Sequence, residues 1–245
     1  MSSKFRNQVR AIILIFFLLL GVAIVGLLYP LVRLEFKQRL KQWWSARVIR
    51  NLGLKLQINE KSIPSGSLII ANHISWLDIF VINATFPAAA FVSKSEIKNW
   101  PLIGWLASKN ETLFVHRNSS AHTRVINEEI ATLLTKGRHV AIFPEGTTTD
   151  GSHVLKFHTA LLQPAIETGA SVQPLAISYR LPDGRLAVAP AYYGDITLLG
   201  CVRATIAEPE IIARLIVGTP LSVAHIANRK DLACRARDSI IAAIK

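Results

Sequence analysis

Residues 67–78 read SLIIANHISWLD. Leu68 to Ala71 are apolar without a break, the chain turns polar at Asn72 and His73, and a helical start follows at Ser75. A short unbroken apolar run is what a strand buried on both faces requires, since its side chains alternate between the faces and neither meets water. The stretch therefore reads as strand, turn and helix, the repeating unit of an α/β domain. It also leaves an imidazole and a carboxylate, His73 and Asp78, five positions apart at the strand's end. Five positions on a regular helix are about 140° apart. The two side chains meet only if His73 stays in the turn and folds back over the first helical turn. The same residues allow a plainer reading, because Ser75-Trp76-Leu77-Asp78 fits a capping box in which Asp78 serves backbone amides.

The rest of the chain continues the alternation. Apolar runs predict strands over 67–71, 89–93, 112–116, 139–143, 172–178, 186–190 and 204–207. Helical periods predict helices over 76–85, 121–136, 157–168 and 229–244. Ser120 is placed to cap the second of these and Gly137 to end it, whereas Pro164 disturbs the third. The expected fold class is α/β, with a mostly buried central sheet flanked by helices and a membrane helix at the N-terminus.

That last expectation comes from residues 11–32, AIILIFFLLLGVAIVGLLYPLV, which are 22 residues without a charge. Such a stretch suffices to cross a hydrocarbon core of about 30 Å. It exceeds the apolar core of a secretory signal, and no Ala-x-Ala-like cleavage site follows it. Residues 1–50 hold nine Lys or Arg and one Glu, net +8, and residues 51–245 hold nineteen against fifteen, net +4. Basic charge concentrated beside an apolar helix argues for a membrane partner and against nucleic acid. Three basic residues precede the helix and six follow it by residue 50, which places the folded part in the cytoplasm, on the inner (cytoplasmic) membrane. The expected organisation is a basic leader (1–10), a membrane helix (11–32), a basic interfacial segment (33–52) and a catalytic domain (53–245). Two other readings stay open: a helical hairpin that enters one leaflet and returns, and an ordinary helix over 33–52 packed on the domain. Cys201 and Cys234 form no metal or redox pattern and fit a reducing compartment.

A second motif follows another apolar run. Residues 139–149, HVAIFPEGTTT, bring a carboxylate, a glycine and three hydroxyls to a strand end, where α/β sheets gather their ligand sites. Together, NHISWLD and FPEGT resemble the glycerolipid acyltransferase family, which pairs an N-H-x4-D motif with an F-P-E-G-T motif and includes the 1-acyl-sn-glycerol-3-phosphate acyltransferases. KSEIKNWPLIGW (94–105), LFVHR (113–117) and VQPLAI (172–177) resemble further family blocks in the right order, so the similarity covers roughly residues 68–180.

The resemblance implies a site and a reaction. His73 would be the general base and Asp78 its orienting carboxylate. Arg117, Glu145, Gly146, Thr147 and Thr148 would lie on the substrate side, with Arg117 facing the acceptor's headgroup. The reaction implied is acyl transfer from acyl-CoA or acyl carrier protein to a lysolipid hydroxyl, with no cofactor and no metal, and 1-acyl-sn-glycerol-3-phosphate as the leading acceptor. Two departures bear on that acceptor. Phosphate-accepting members usually carry Arg where this chain has Thr148, and His158 stands where Lys is common. A hydroxyl does not replace a bidentate guanidinium at a phosphate. Relatives reading F-P-E-G-T-T include enzymes that acylate lyso-ornithine lipid, so that acceptor is the alternative. A non-catalytic lipid-binding protein on the same fold is a further one, disfavoured by the complete set of motif residues. No Gly-x-Ser-x-Gly elbow and no His-Glu-x-x-His pair is present to support a serine hydrolase or a zinc enzyme.

Overall fold

A computed structural model describes residues 3–60, 62–116, 119–226 and 228–244. Its strands are β1 (Leu54–Ile58), β2 (Leu68–Ala71), β3 (Ala90–Lys94), β4 (Leu113–Val115), β5 (Val140–Ile142), β6 (Val172–Arg180) and β7 (Ile211–Val217). They form one mixed sheet in the order β1-β7-β6-β2-β5-β3-β4. β2 lies between β5 and β6 and is parallel to both, while β7 runs antiparallel to β6 and parallel to β1. The register sets Leu68 beside Val140 and Ile70 beside Ile142. The two motifs therefore leave the sheet at the same edge, side by side.

The helices are α1 (Ser3–Ala23), α2 (Leu34–Asn51), α3 (Leu77–Thr85), α4 (Ile103–Lys109), α5 (Ser120–Thr135), α6 (Gln163–Thr168), α7 (Leu198–Ala207) and α8 (Arg229–Ile244). They cover both faces of the sheet, which explains the unbroken apolar run in β2. Ile69 and Ala71 point into a layer with Val48, Ile49 and Leu52 of the α2 end and Leu77, Val81 and Ile82 of α3. Leu68 and Ile70 point the other way, toward Ile126, Ile130 and Leu134 of α5 and Leu232, Ala236 and Ile240 of α8.

Several expectations are corrected. Residues 204–207 are the end of α7 and not a strand; Thr197 caps this helix, its hydroxyl accepting from the Gly200 amide at 3.1 Å. Residues 186–190 contribute a single antiparallel bridge, Leu186 to Arg180. The helix expected over 157–168 shrinks to a 3₁₀ turn at Ala160–Leu162 followed by α6, with Pro164 in the first turn, where its missing N–H costs nothing. The cap of α5 is Ser119, which accepts from the His122 amide at 3.2 Å, one residue before the expected position. β1, β7 and α4 are not among the expected elements, although Leu54–Ile58 alternates apolar with polar and Ile211–Val217 is rich in β-branched residues, both signals of a strand.

The N-terminal region is a helix pair. α1 passes through a π-helical turn (Ile24–Leu28) and a 3₁₀ turn (Tyr29–Leu31), and α2 returns along it. Gly21 permits the close approach: a Cβ there would stand 2.7 Å from the Trp44 ring, whose Nε1 donates to the Phe17 carbonyl at 2.7 Å. The first helix is tied to the domain near its start and at the turn beyond it. Arg10 donates to the carbonyls of Ile206, Glu208 and Pro209, at 3.1, 2.5 and 2.8 Å, around the C-terminus of α7. At the far turn the Tyr29 hydroxyl donates to Asn110 Oδ1 at 3.0 Å. The segment read from sequence as interfacial is thus a helix with a split character. Val48, Ile49 and Leu52 enter the core, whereas Phe36 and Trp43 stay exposed alongside Ile12, Ile15, Phe16, Leu19, Leu27 and Leu31. Over Ser3–Leu31 the chain is long and apolar enough to cross a membrane.

Candidate active site

Asn72 begins the site by extending β2 with its side chain. Its Nδ2 donates to the Ile177 carbonyl at 2.9 Å and its Oδ1 accepts the Ile177 amide at 2.8 Å, so the strand stays stitched to β6 after its own backbone turns away. His73 follows at the sheet edge, with a fifth of its side chain exposed. Its ring stacks on Phe143, centroids 4.1 Å apart, and its Nδ1 lies 2.8 Å from Asp78 Oδ2. The ring folds back from the turn as the spacing required.

Asp78 is fully buried in the first turn of α3. Its Oδ2 also accepts the Ile74 amide at 2.7 Å and the Ser75 amide at 2.9 Å. Half of the capping box therefore forms: Asp78 reaches back to the Ser75 amide, while Ser75 Oγ accepts from Leu77. The plain and the functional readings are one arrangement, because the amides that fix the carboxylate also aim it at the imidazole. An oxygen so occupied faces Nδ1 as an acceptor. Nδ1 presents its proton to it, and the lone pair sits on Nε2. Among the described residues Nε2 has no hydrogen-bond partner.

A residue not singled out from the sequence completes the support. The Tyr179 hydroxyl, on β6, donates to Asp78 Oδ1 at 2.7 Å, and Tyr179 is fully buried. Burial, and then the neighbouring carboxylate, push its phenol well above the usual range, so it stays a donor. The signal available was alternation: Ile177 and Tyr179 share the face of β6 that looks toward α3. Replacing Tyr179 by Phe leaves Asp78 Oδ1 buried with one donor fewer and is expected to cost about 1–3 kcal/mol of stability. The rate should fall while the KM for the acceptor holds, as thermal unfolding and steady-state kinetics would read out.

Glu145 is buried and turned inward. Its Oε1 accepts the His73 amide at 2.7 Å and its Oε2 the Leu155 amide at 2.7 Å. Burial holds its carboxyl above the usual range, opposed in part by the amide bonds from Leu155 and His73. Gly146 has a φ of +73°, in the left-handed region that favours glycine, which lets the chain turn sharply after Glu145. Thr147 is exposed beside it. The Thr148 hydroxyl donates to the Tyr192 carbonyl, and the Tyr192 amide donates to the Ile74 carbonyl at 2.9 Å, so this position fastens a loop to the site. Thr149 donates its amide to the His73 carbonyl at 2.9 Å. The two motifs are thus bonded to each other through His73. Arg117 lies outside the described residues.

An imidazole held by a buried carboxylate, its second nitrogen facing outward at the edge of an α/β sheet, has the geometry that a general base for a substrate hydroxyl needs. Comparison with known proteins identifies which such group this is. Residues 54–178 match the family model described as Acyltransferase. The lyso-ornithine lipid O-acyltransferase of Pseudomonas aeruginosa is 44% identical over 163 residues, covering 66% of this chain and 62% of that protein. The 1-acyl-sn-glycerol-3-phosphate acyltransferase of Neisseria meningitidis is 33% identical over 194 residues, covering 79% and 75%. The crystal structure of the 1-acyl-sn-glycerophosphate acyltransferase of Thermotoga maritima superimposes with a TM-score of 0.70 at 19% identity, over 99% of this chain and 96% of that one, and so shares its fold. The chain belongs to the acyltransferase family.

Proposed function

We propose that the protein moves an acyl group from an acyl thioester, on coenzyme A or acyl carrier protein, to the free hydroxyl of a lysolipid at the cytoplasmic membrane. The observation that carries this reading is the 2.8 Å contact between His73 Nδ1 and Asp78, with Nε2 left open at the sheet edge. As the hydroxyl oxygen attacks the thioester carbonyl, Nε2 takes its proton and the tetrahedral oxyanion forms. Collapse breaks the carbon–sulfur bond, the imidazolium returns the proton to the departing thiolate, and an ester and a free thiol leave. Asp78 stabilises the imidazolium in between. Tyr179 holds Asp78, and Glu145 holds the main chain of His73. Gly146 and Thr147 form the turn on the substrate side, with Arg117 assigned to the headgroup by motif.

Thr148 bears on the choice of acceptor. Its hydroxyl is spent on the Tyr192 carbonyl, and it offers no cation at the position where phosphate-accepting relatives carry Arg. This favours lyso-ornithine lipid, the acceptor named for the Pseudomonas relative. The second reading, 1-acyl-sn-glycerol-3-phosphate, is favoured by Arg117 and by the name of the Neisseria relative. Offering both acceptors with one labelled thioester tests the choice: faster labelling of the ornithine acceptor supports the first reading, and faster labelling of the phosphate acceptor overturns it. Replacing Thr148 by Arg is expected to shift the kcat/KM ratio about tenfold or more toward the phosphate acceptor, through one charge-assisted bond.

Attachment to the membrane is assigned to the α1/α2 pair. Because Arg10 near the start of α1 and Tyr29 in the turn beyond it are both bonded to one domain, we favour a hairpin buried in a single leaflet over a helix that crosses. Cysteine labelling from the two sides of sealed vesicles, at residues 3 and 31, tests this: both residues reached from the same side supports it.

A further inference from the structure

We propose that the cavity at the turn of the α1/α2 pair is a second, non-catalytic site that binds the headgroup phosphate of an anionic membrane phospholipid. The cavity measures about 90 Å³, and Tyr29, Lys37, Lys41, Lys109, Asn110 and Glu111 line it. Three lysines face one carboxylate there. That carboxylate is already neutralised, since Arg138 grips Glu111 with both terminal nitrogens at 3.1 and 2.6 Å. Among the described residues the cavity therefore gathers three ammonium groups against one carboxylate, which Arg138 already engages.

Lys41 is the informative member. It is 7% exposed, and its ammonium donates to the Ala89 carbonyl at 3.2 Å. An ammonium has three donors, so two remain beyond the bond to Ala89, in a residue that lines the cavity. Burial, opposed in part by Glu111, pushes its pKa down to about 8, the mark of a charge held where solvent does not reward it. A role limited to capping Ala89 would account for Lys41 alone and not for Lys37 and Lys109 beside it. Lys37 Nζ lies 5.7 Å from the centroid of the Tyr29 ring, which lines the same cavity.

The place is separate from the reaction centre. His73 and Glu145 follow parallel strands β2 and β5, whereas Ala89 and Glu111 precede β3 and β4, which run the same way, so the cavity opens at the opposite edge of the sheet. The chain beside it supplies Leu28, Leu31 and Leu34, all exposed. A phosphate site bordered by exposed leucines at a helix turn matches the headgroup layer of a membrane better than open solution.

The test uses the full chain and vesicles of phosphatidylcholine with and without phosphatidylglycerol. Lys37→Met and Lys109→Met alter partly exposed residues and so serve beside Lys41→Met should the buried replacement fail to fold; Arg39→Gln, on the same helix but away from the cavity, is the control. Each cavity variant is expected to weaken binding to the anionic vesicles about tenfold or more, the loss of a charge-assisted bond. The control should lose about fivefold at most, the share of one diffuse surface charge. Acyl transfer by Lys37→Met in neutral detergent should match the parent, which keeps this result distinct from the assigned reaction. Cavity variants that lose no more than Arg39→Gln overturn the site. Inorganic phosphate that raises the thermal midpoint of the detergent-solubilised chain, with no added effect of phosphatidylglycerol, overturns the lipid as its source.

Discussion

Replacing His73 by Ala is expected to lower kcat about 10²–10⁴-fold, the usual contribution of a positioned general base. The KM for the lysolipid should change little, because in the proposed reaction the imidazole acts on the hydroxyl proton and not on the headgroup. The protein should stay folded. The His73 backbone keeps its bonds to Glu145 and Thr149, and Asp78 keeps the amides of Ile74 and Ser75 and the Tyr179 hydroxyl. Steady-state kinetics beside a thermal melt separate these effects. A large fall in rate with an unmoved midpoint is the expected pair.

Asp78 is expected to give the second largest effect, split by the choice of replacement. In Asp78→Asn the carbonyl can still take the amides of Ile74 and Ser75 and the imidazole proton, while the new NH₂ faces the Tyr179 oxygen, which can accept. The fold is therefore expected to hold, but the imidazolium has lost its counter-charge and the tautomer its strict control. Neutralising the comparable carboxylate of a serine protease costs about 10⁴ in rate, and a loss of up to that size is expected here. In Asp78→Ala two buried amides and a buried hydroxyl lose their acceptor, at about 1–3 kcal/mol each. That variant should be destabilised by several kcal/mol as well as inactive. Denaturant melts of the two side by side check the distinction.

What could be read in advance was whatever the chain writes locally. The strand–turn–helix at 67–78 announces itself through an apolar run that ends at a polar turn, and His73, Asp78 and Glu145 lie in short motifs. Tyr179 was not legible in the same way: it stands 101 residues from Asp78, and their contact follows from β6 lying next to β2, a strand order no local pattern states. The four-residue run at 204–207 suits a strand or a helix end equally, and the cap at Thr197 decides for the helix. The segment at 33–52 mixes cations with large apolar residues, a pattern shared by interfacial and core helices. Only the burial of Val48, Ile49 and Leu52 tells them apart. Thr148 reads as a substrate residue by motif, yet its bond to Tyr192 turns it toward the protein.

The central claim is acyl transfer to a lysolipid hydroxyl with His73 as base, and one measurement bears on it most directly. The purified chain and its His73→Ala form would each receive a long-chain thioester labelled in the acyl group, together with lyso-ornithine lipid. The account predicts that label enters the doubly acylated lipid with release of one thiol per ester formed, and that the variant loses this transfer. Label recovered as free fatty acid with none in the lipid, or transfer that survives the loss of His73, would contradict it.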